Sequence, residues 1–463
     1  MRILHAIHDF LPRHGAGSEI YAFELCREQA AGHHVSVLCG EYDPSRRHGH
    51  VTWRVHEGLP IIEIVNNCVC TSFEDTYRPP LISDRIAHVL RAVQPDIVHV
   101  HNLLNLSFDL PALAHTRGIP VVATLHDYAL VCPSGGKRIH RAEQYVCATI
   151  DTERCVRCFR ESPLQAQISF GSLTAIAHAP GLMHRAGASA LRRFPWLVGQ
   201  AARTVRRVPA FGLTKEDLDK RLAAARRVFE EVDLFVAPSP SIADEFERLG
   251  VEAARIRISD YGFVPLLRSS RNGNDGSPGS RRPLRIGYVG TLVWHKGVHV
   301  LLDAVRGLPA DGYELKIFGN PDVFPEYSAD LRARAAGLPV RFMGAFERSR
   351  TAEAYAKIDV LVVPSLWLEN SPLVIHEAFM AGIPVVGARI GGIADLVEDG
   401  RTGLLYEPAS AVALEAALRG LIENPRRLDE MTEFARTVPR IKSIADDARE
   451  WEQRYGEVLT RRQ

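Results

Sequence analysis

Two carboxylates flank what reads as the start of a helix. They are Glu369 and Glu377, separated by Asn370-Ser371-Pro372-Leu373-Val374-Ile375-His376. Pro372 suits the first helical position, which has no backbone donor to lose, and Ser371 then suits the N-cap. Glu369 falls in the loop before the helix and Glu377 on its second turn. Between them lie the unpaired N–H groups around Leu373 and Val374 and the positive end of the helix dipole, and such an end attracts phosphate. Carboxylates that accept hydrogen bonds from hydroxyls, beside a cradle for phosphate, are the chemistry of a nucleotide-sugar site. Without that chemistry, the same residues are a surface glutamate and a helix glutamate beside a capped terminus.

A second group can serve the same ligand. Gly290-Thr291-Leu292-Val293-Trp294-His295-Lys296-Gly297 follows an apolar, strand-like run. A lysine at the mouth of a parallel strand, with glycines on both sides, can reach a diphosphate as a mobile point charge. Near the N-terminus, Gly15-Ala16-Gly17-Ser18-Glu19 can let backbone approach a diphosphate closely, or be a plain surface turn. It is not the dinucleotide fingerprint, because no Gly-x-Gly-x-x-Gly sits tightly between strand and helix. His99, His101 and His126 end two strand-like runs, where ligands of parallel sheets bind. Cys132, Cys147, Cys155 and Cys158 share one stretch, and the last two have the spacing of a zinc knuckle. Four thiolates there suit a tetrahedral structural zinc site; reduced structural cysteines are the other reading.

These groups need strands to carry them. Ile3–Ile7, Val35–Cys39, Asp96–His101, Pro120–Leu125, Asp233–Pro238 and Arg255–Ser259 read as strands of a first α/β domain. Leu284–Val289, Leu315–Gly319, Val340–Gly344, Asp359–Pro364, Ile383–Gly387 and Gly403–Pro408 repeat the pattern. Helices are expected between them, including Ser18–Ala31, and a long amphipathic one closes the chain over 441–459. Residues 266–283 are rich in Ser, Gly, Asn and Arg, cannot build a core, and read as a linker. The expected division is a first domain over 1–265, with a cysteine loop at 132–158 and a helical insertion at 165–227, the linker, a second domain over 284–438, and a closing helix in 439–463. Within the insertion, Arg192, Arg193, Arg203, Arg206 and Arg207 alternate with Phe194, Trp196 and Leu197. Such a stretch suits peripheral contact with an anionic membrane surface, or is simply a solvated basic face.

Composition sets the outer limits. The 463 residues, 46% hydrophobic and 24% charged, fit a globular protein of two or three domains. A net charge of +1 gives no general pull toward nucleic acid. No apolar run is long enough to span a membrane, and the first residues lack the apolar core of a signal peptide. The expected location is therefore the cytoplasm, with the eight cysteines reduced.

Taken together, the Glu369–Glu377 spacing after a strand and into a helix, with the Gly290…Lys296-Gly297 element, resembles the family 4 retaining glycosyltransferases. The resemblance covers nearly the whole chain and is strongest at 290–297 and 359–408. It implies the GT-B fold: two facing Rossmann-like domains with parallel sheets, and a closing helix that crosses back onto the first domain. It also implies sugar transfer, with retention at the anomeric carbon, from a nucleoside-diphosphate sugar to a glycan or lipid-linked acceptor in surface polysaccharide or glycolipid synthesis. In the roles it carries over, Lys296 neutralises the leaving diphosphate, Glu369 holds sugar hydroxyls and Glu377 the ribose. His126 orients the sugar or the acceptor, and Gly15, Gly17, Gly290 and Thr291 line the phosphates with Ser371, Pro372, Leu373 and Val374. Many members have an arginine where this chain has Thr291, which leaves one fewer positive charge. No Asp-x-Asp motif stands in the site region, so no catalytic metal is expected. The alternatives are a GT-B epimerase or phosphorylase, or a non-catalytic nucleotide-sugar-binding protein.

Overall fold

A computed structural model describes residues 1–140, 143–162, 164–169, 171, 212–266, 282–437 and 441–461. The basic stretch 192–208 and almost all of the expected linker lie outside the described residues.

Among the described residues, ten strands lie in the first half: β1 Arg2–Ile7, β2 His34–Glu41, β3 Val51–His56, β4 Leu59–Val65, β5 Ile97–Val100, β6 Val121–Thr124, β7 Ile139–His140, β8 Tyr145–Val146, β9 Leu234–Ala237 and β10 Ile256–Ile258. Eight of them form one sheet in the order β10-β9-β6-β5-β1-β2-β4-β3, and β7 and β8 pair separately as a short hairpin. The central strands are nearly continuous apolar runs because both faces of a parallel sheet are covered. β5 and β6, for example, are buried along their whole lengths. Helices α1 (Gly17–Gln29) and α2 (Pro80–Val93) follow β1 and β4. The β3–β4 hairpin was not read from the sequence. Its turn, Glu57-Gly58, has both residues at positive φ, the geometry of the tight turns that match the twist of paired strands. Among the described residues β3 is the only antiparallel member of the sheet, and it lies at its edge.

In the second half, β11 Leu284–Val289, β12 Tyr313–Phe318, β13 Val340–Gly344, β14 Val360–Val363, β15 Val385–Ala388 and β16 Gly403–Tyr406 form a parallel sheet ordered β13-β12-β11-β14-β15-β16. Two apolar clusters cover its faces. One centres on Ile286, Leu301, Leu315 and Leu418, the other on Leu361, Ile375, Ile383 and Ile393. The order reverses between β11 and β14, and such a switch point is where open parallel sheets bind ligands.

By contact density the chain divides into two units. The first gathers Met1–Pro238, Ile242–Gly262 and Ile444–Gln463; the second gathers Ser239–Ser241 and Phe263–Ser443. The last helix, Ile444–Arg461, thus belongs to the first unit, where Trp451 and Tyr455 are fully buried. Among the described residues, no helix is long and apolar enough to cross a membrane.

Candidate active site

In the second unit, the switch point brings Lys296 and Glu369 together. Lys296 lies in a short 3₁₀ turn after β11, and Glu369 in the loop after β14. Lys296 Nζ donates to Glu369 Oε1 at 2.6 Å, and the same oxygen accepts from Ser365 Oγ at 2.5 Å. The Glu369 side chain is 6% exposed and that of Lys296 29%, so the carboxylate is fixed and the ammonium still meets solvent. Lys296 Nζ also stands 5.5 Å from the centre of the Trp367 ring, whose negative face favours a cation.

Glycines make this approach possible. Gly297 has φ +72°, and a Cβ there would fall 1.8 Å from the Pro364 carbonyl oxygen. A Cβ on Gly392 would fall 1.6 Å from the Asn370 oxygen, and one on Gly391 2.6 Å from that of Glu369. Gly391 and Gly392 therefore serve to seat the Glu369–Asn370 loop, whose Glu369 carbonyl accepts from the Gly392 N–H at 2.7 Å. Gly290 packs against the Tyr288 hydroxyl, and that hydroxyl donates to the Thr291 carbonyl at 2.8 Å.

The helix that follows begins one residue later than the sequence predicts. It runs Leu373–Met380, and Pro372, with ψ 116°, is itself the cap residue. Ser371 does not cap it. Its hydroxyl lies 2.8 Å from His376 Nε2. The reason is local: with Pro372 extended, the cap position passes from Ser371 to Pro372, which has no side-chain acceptor. The helix start therefore has no side-chain cap, and its leading N–H groups keep their capacity for an anion. Glu377 lies on the same helix and meets the Tyr355 hydroxyl at 2.9 Å through Oε2. Burial pushes its carboxyl above the usual range, and the Tyr355 hydrogen bond draws it partly back.

In the first unit, His126 follows β6 and is buried. Its Nε2 is 2.9 Å from His101 Nδ1, and its Nδ1 is 2.8 Å from the Tyr261 hydroxyl. His101 Nε2 in turn is 3.0 Å from His5 Nδ1, and His5 Nε2 is 2.9 Å from Gln29 Oε1. The Gln29 oxygen can only accept, so His5 donates to it through Nε2. Burial keeps these rings neutral, holding His126 down at about 3 and His5 at about 4. With neutral rings each neighbour then donates in sequence: His101 to His5, His126 to His101, Tyr261 to His126. His99 completes the layer between Thr124 and Tyr455, at 2.8 and 2.7 Å. Both ring nitrogens of His126 are thus committed inside the unit, and a part in chemistry requires one of these bonds to open. Sequence reasoning placed the histidines at strand ends but missed Tyr261 and Gln29, which no local pattern ties to them.

Gly15 and Gly17 lie at the start of α1, where Gly17 is the first helical residue and no side chain caps the end. Beside them His8, Asp9 and Glu19 converge, with His8 Nε2 3.3 Å from Glu19 Oε1. The four cysteines share one neighbourhood. The Cys155 thiol is pushed up to about 12, first by burial and then by Cys132, Cys147 and Cys158. Among the described residues, however, the ligand atoms that converge within 4.8 Å belong to His5–His99–His101 and His8–Asp9–Glu19, not to the thiols.

Comparison with known proteins agrees with this architecture. The family model described as "Glycosyltransferase Family 4" matches residues 15–260, and "Glycosyl transferases group 1" matches 276–438. The sulfoquinovosyl transferase SQD2 of Arabidopsis thaliana is 32% identical over 211 residues, 43% of this chain and 39% of that protein. D-inositol 3-phosphate glycosyltransferase 2 of Catenulispora acidiphila is 31% identical over 233 residues, 46% and 54%. The matches thus span only about two fifths to a little over half the length of these relatives. Among solved structures, sucrose-phosphate synthase from Thermosynechococcus elongatus superposes with TM-score 0.63 at 18% identity, covering 99% of this chain and 100% of that one. Anabaena Alr3699/HepE in complex with UDP and glucose gives 0.61 at 16%, covering 98% and 99%. At such identity the likeness speaks to the fold, which is GT-B.

Proposed function

Because this chain belongs to glycosyltransferase family 4, we propose that it transfers a hexosyl-type sugar, with retention, from a nucleoside-diphosphate sugar to a glycan or lipid-linked acceptor. The observation that supports this reading most is the pairing of Lys296 with Glu369 directly before a helix start that lacks a side-chain cap. Departure of a nucleoside diphosphate builds negative charge on a phosphate oxygen. Lys296 and the amides at Leu373 and Val374 are the groups that would meet it, with the glycine backbone at Gly290 beside them. Held ready in place, each such donor is worth about 2.7–4 kcal/mol in the transition state. Glu369 has a second carboxylate oxygen for sugar hydroxyls, and Glu377 suits the ribose. In the first unit, His126 would orient the acceptor by releasing Tyr261. The work would lie in the cytoplasm, where such donors are made, with peripheral membrane contact where the acceptor is lipid-linked.

The test is thermal stabilisation by a panel of nucleoside diphosphates and their sugars, with Glu377→Ala beside the native chain. A ligand at 100 times its dissociation constant adds about 2.7 kcal/mol. Stabilisation by one base class, lost in the variant, identifies the donor. A panel without effect in either protein would count against the assignment.

A further inference from the structure

Between the edge strand β3 and helix α2 lies a groove of about 610 Å³ that the proposed transfer does not use. Its two walls follow from periodicity. Leu81, Arg85, His88, Val89 and Ala92 recur at helical spacing along one face of α2. Val51 and Trp53 alternate outward from β3. The loop Arg47–His50 closes one end, and Gly49 is required there. It has φ +75°, and a Cβ would fall 2.6 Å from Leu81.

The lining is basic and aromatic. Two arginines, Arg47 and Arg85, and three histidines, His48, His50 and His88, line the groove, and none of the lining residues is acidic; burial holds His48 below its ordinary range and its Nδ1 accepts from the Asn67 N–H at 3.2 Å, so the arginines carry the charge. Arg85 Nε is anchored on the Gly49 carbonyl at 3.1 Å, and His88 Nδ1 on the Asp84 carbonyl at 2.8 Å. The nearby carboxylate is Asp84, 3.5 Å from Arg85 and 3.4 Å from His88, itself half exposed. Arg47 and His50 have no side-chain partner among the described residues. The rim is apolar and in solvent: Trp53 is 57% exposed, Val55 70% and Leu81 37%. Trp53 and Val55 lie two residues apart on one side of the strand.

We propose that this groove binds the phosphate headgroup of an anionic phospholipid, so that the β3 edge seats the first unit on a membrane surface. A free anion would account for the cations alone. A lipid surface accounts also for Trp53 and Val55, because an aromatic and a branched side chain beside a basic groove enter the headgroup layer while the arginines meet phosphate. It also covers an edge strand whose backbone would otherwise be an open template for pairing. The inference does not depend on the transfer reaction.

The full chain is sedimented with vesicles of phosphatidylcholine alone and of phosphatidylcholine with phosphatidylglycerol. Binding is expected only to the anionic vesicles, with a blue shift of tryptophan emission that Trp53→Phe abolishes. Arg47→Glu and His88→Glu together should weaken binding at least about fivefold, the effect of one cation near such a surface. Trp53→Ala should weaken it too. All variants should keep the native melting temperature and the native response to nucleoside diphosphates, since these side chains stand outside both cores. Unchanged vesicle binding in the variants would overturn the proposal by placing membrane contact elsewhere. Absence of binding to anionic vesicles would also overturn it. So would protection of the groove by inorganic phosphate or glycerol phosphate without any vesicle binding, which would make it a free-anion site.

Discussion

Replacing Lys296 by methionine keeps most of the side chain's length and removes its charge. The structure predicts that this harms stability as well as turnover. Glu369 Oε1 would keep only Ser365, 2.5 Å away, in a side chain that is 6% exposed. Breaking a fully buried ion pair from one side costs about 3–5 kcal/mol. The 29% exposure of Lys296 and the remaining hydroxyl reduce this, to about 2–3 kcal/mol. In a unit of this size that is a fall in melting temperature of about 5–10 °C. Adding Glu369→Gln to the methionine variant removes the stranded charge, so the double variant should recover part of the loss. A coupling of about 1–2 kcal/mol is expected from the cycle of both singles and the double. Urea titration followed by circular dichroism measures it. Additive single effects would refute the reasoning, because they would mean that lysine and carboxylate do not depend on each other in the folded protein. In a transfer assay with the identified donor, the same methionine variant should lose about 10²–10³ in kcat, as expected when one donor to a leaving group is removed.

Four further outcomes are expected. Gly297→Ala should destabilise by at least about 1–3 kcal/mol from its positive φ alone, with the Pro364 clash added, read as a lowered midpoint in the same urea titration. Glu377→Gln should weaken nucleoside-diphosphate binding by about 1.5–3 kcal/mol, the worth of hydrogen bonds to a charged group. Since burial raises the Glu377 carboxyl, native affinity by calorimetry should fall on acidification while the pH is still above the ordinary carboxylate range; affinity flat down to that range would refute this. The buried histidines have lowered folded values, about 4 for His5 and about 3 for His126. The unfolded chain therefore takes up protons first, and stability is lost as pH falls from about 6.5, by about 1.4 kcal/mol per pH unit for each histidine. That loss should end near the folded values. Equal melting temperatures at pH 7 and pH 5 would contradict the neutral chain.

The alternation of strand and helix was legible because each rests on local rules. Short apolar runs such as Ile97–Val100 and Val360–Val363 read as buried parallel strands from their length and β-branched content, and the turns between them carry glycine or proline. That pattern, with the Glu369–Glu377 and Gly290–Gly297 spacings, resembles glycosyltransferase family 4, and the GT-B class is what that resemblance implies. Local rules also had limits. The β3–β4 hairpin carries a clear alternation and a Glu-Gly turn, yet it stands outside the repeated strand–helix pattern that marks the rest of the sheet. Ser371 has the composition of an N-cap, but the extended Pro372 and the reach of His376 gave its hydroxyl another partner.

What the chain could not disclose by itself are contacts between residues far apart in sequence. Lys296 meets Glu369 across 73 positions and His5 meets His101 across 96. No propensity or period couples such pairs; the strand order does, by laying β11 beside β14 and β1 beside β5. The sequence by itself determined which segments become strands and helices, and which charged and glycine residues stand at their ends. Only the tertiary structure decided that a lysine would be held by a glutamate, that three histidines would join in one neutral chain, and that a basic groove would open along an edge strand. The physical reason is that burial and pairing energies depend on what lies opposite, and a chain's neighbours in space are set only when the sheet is assembled.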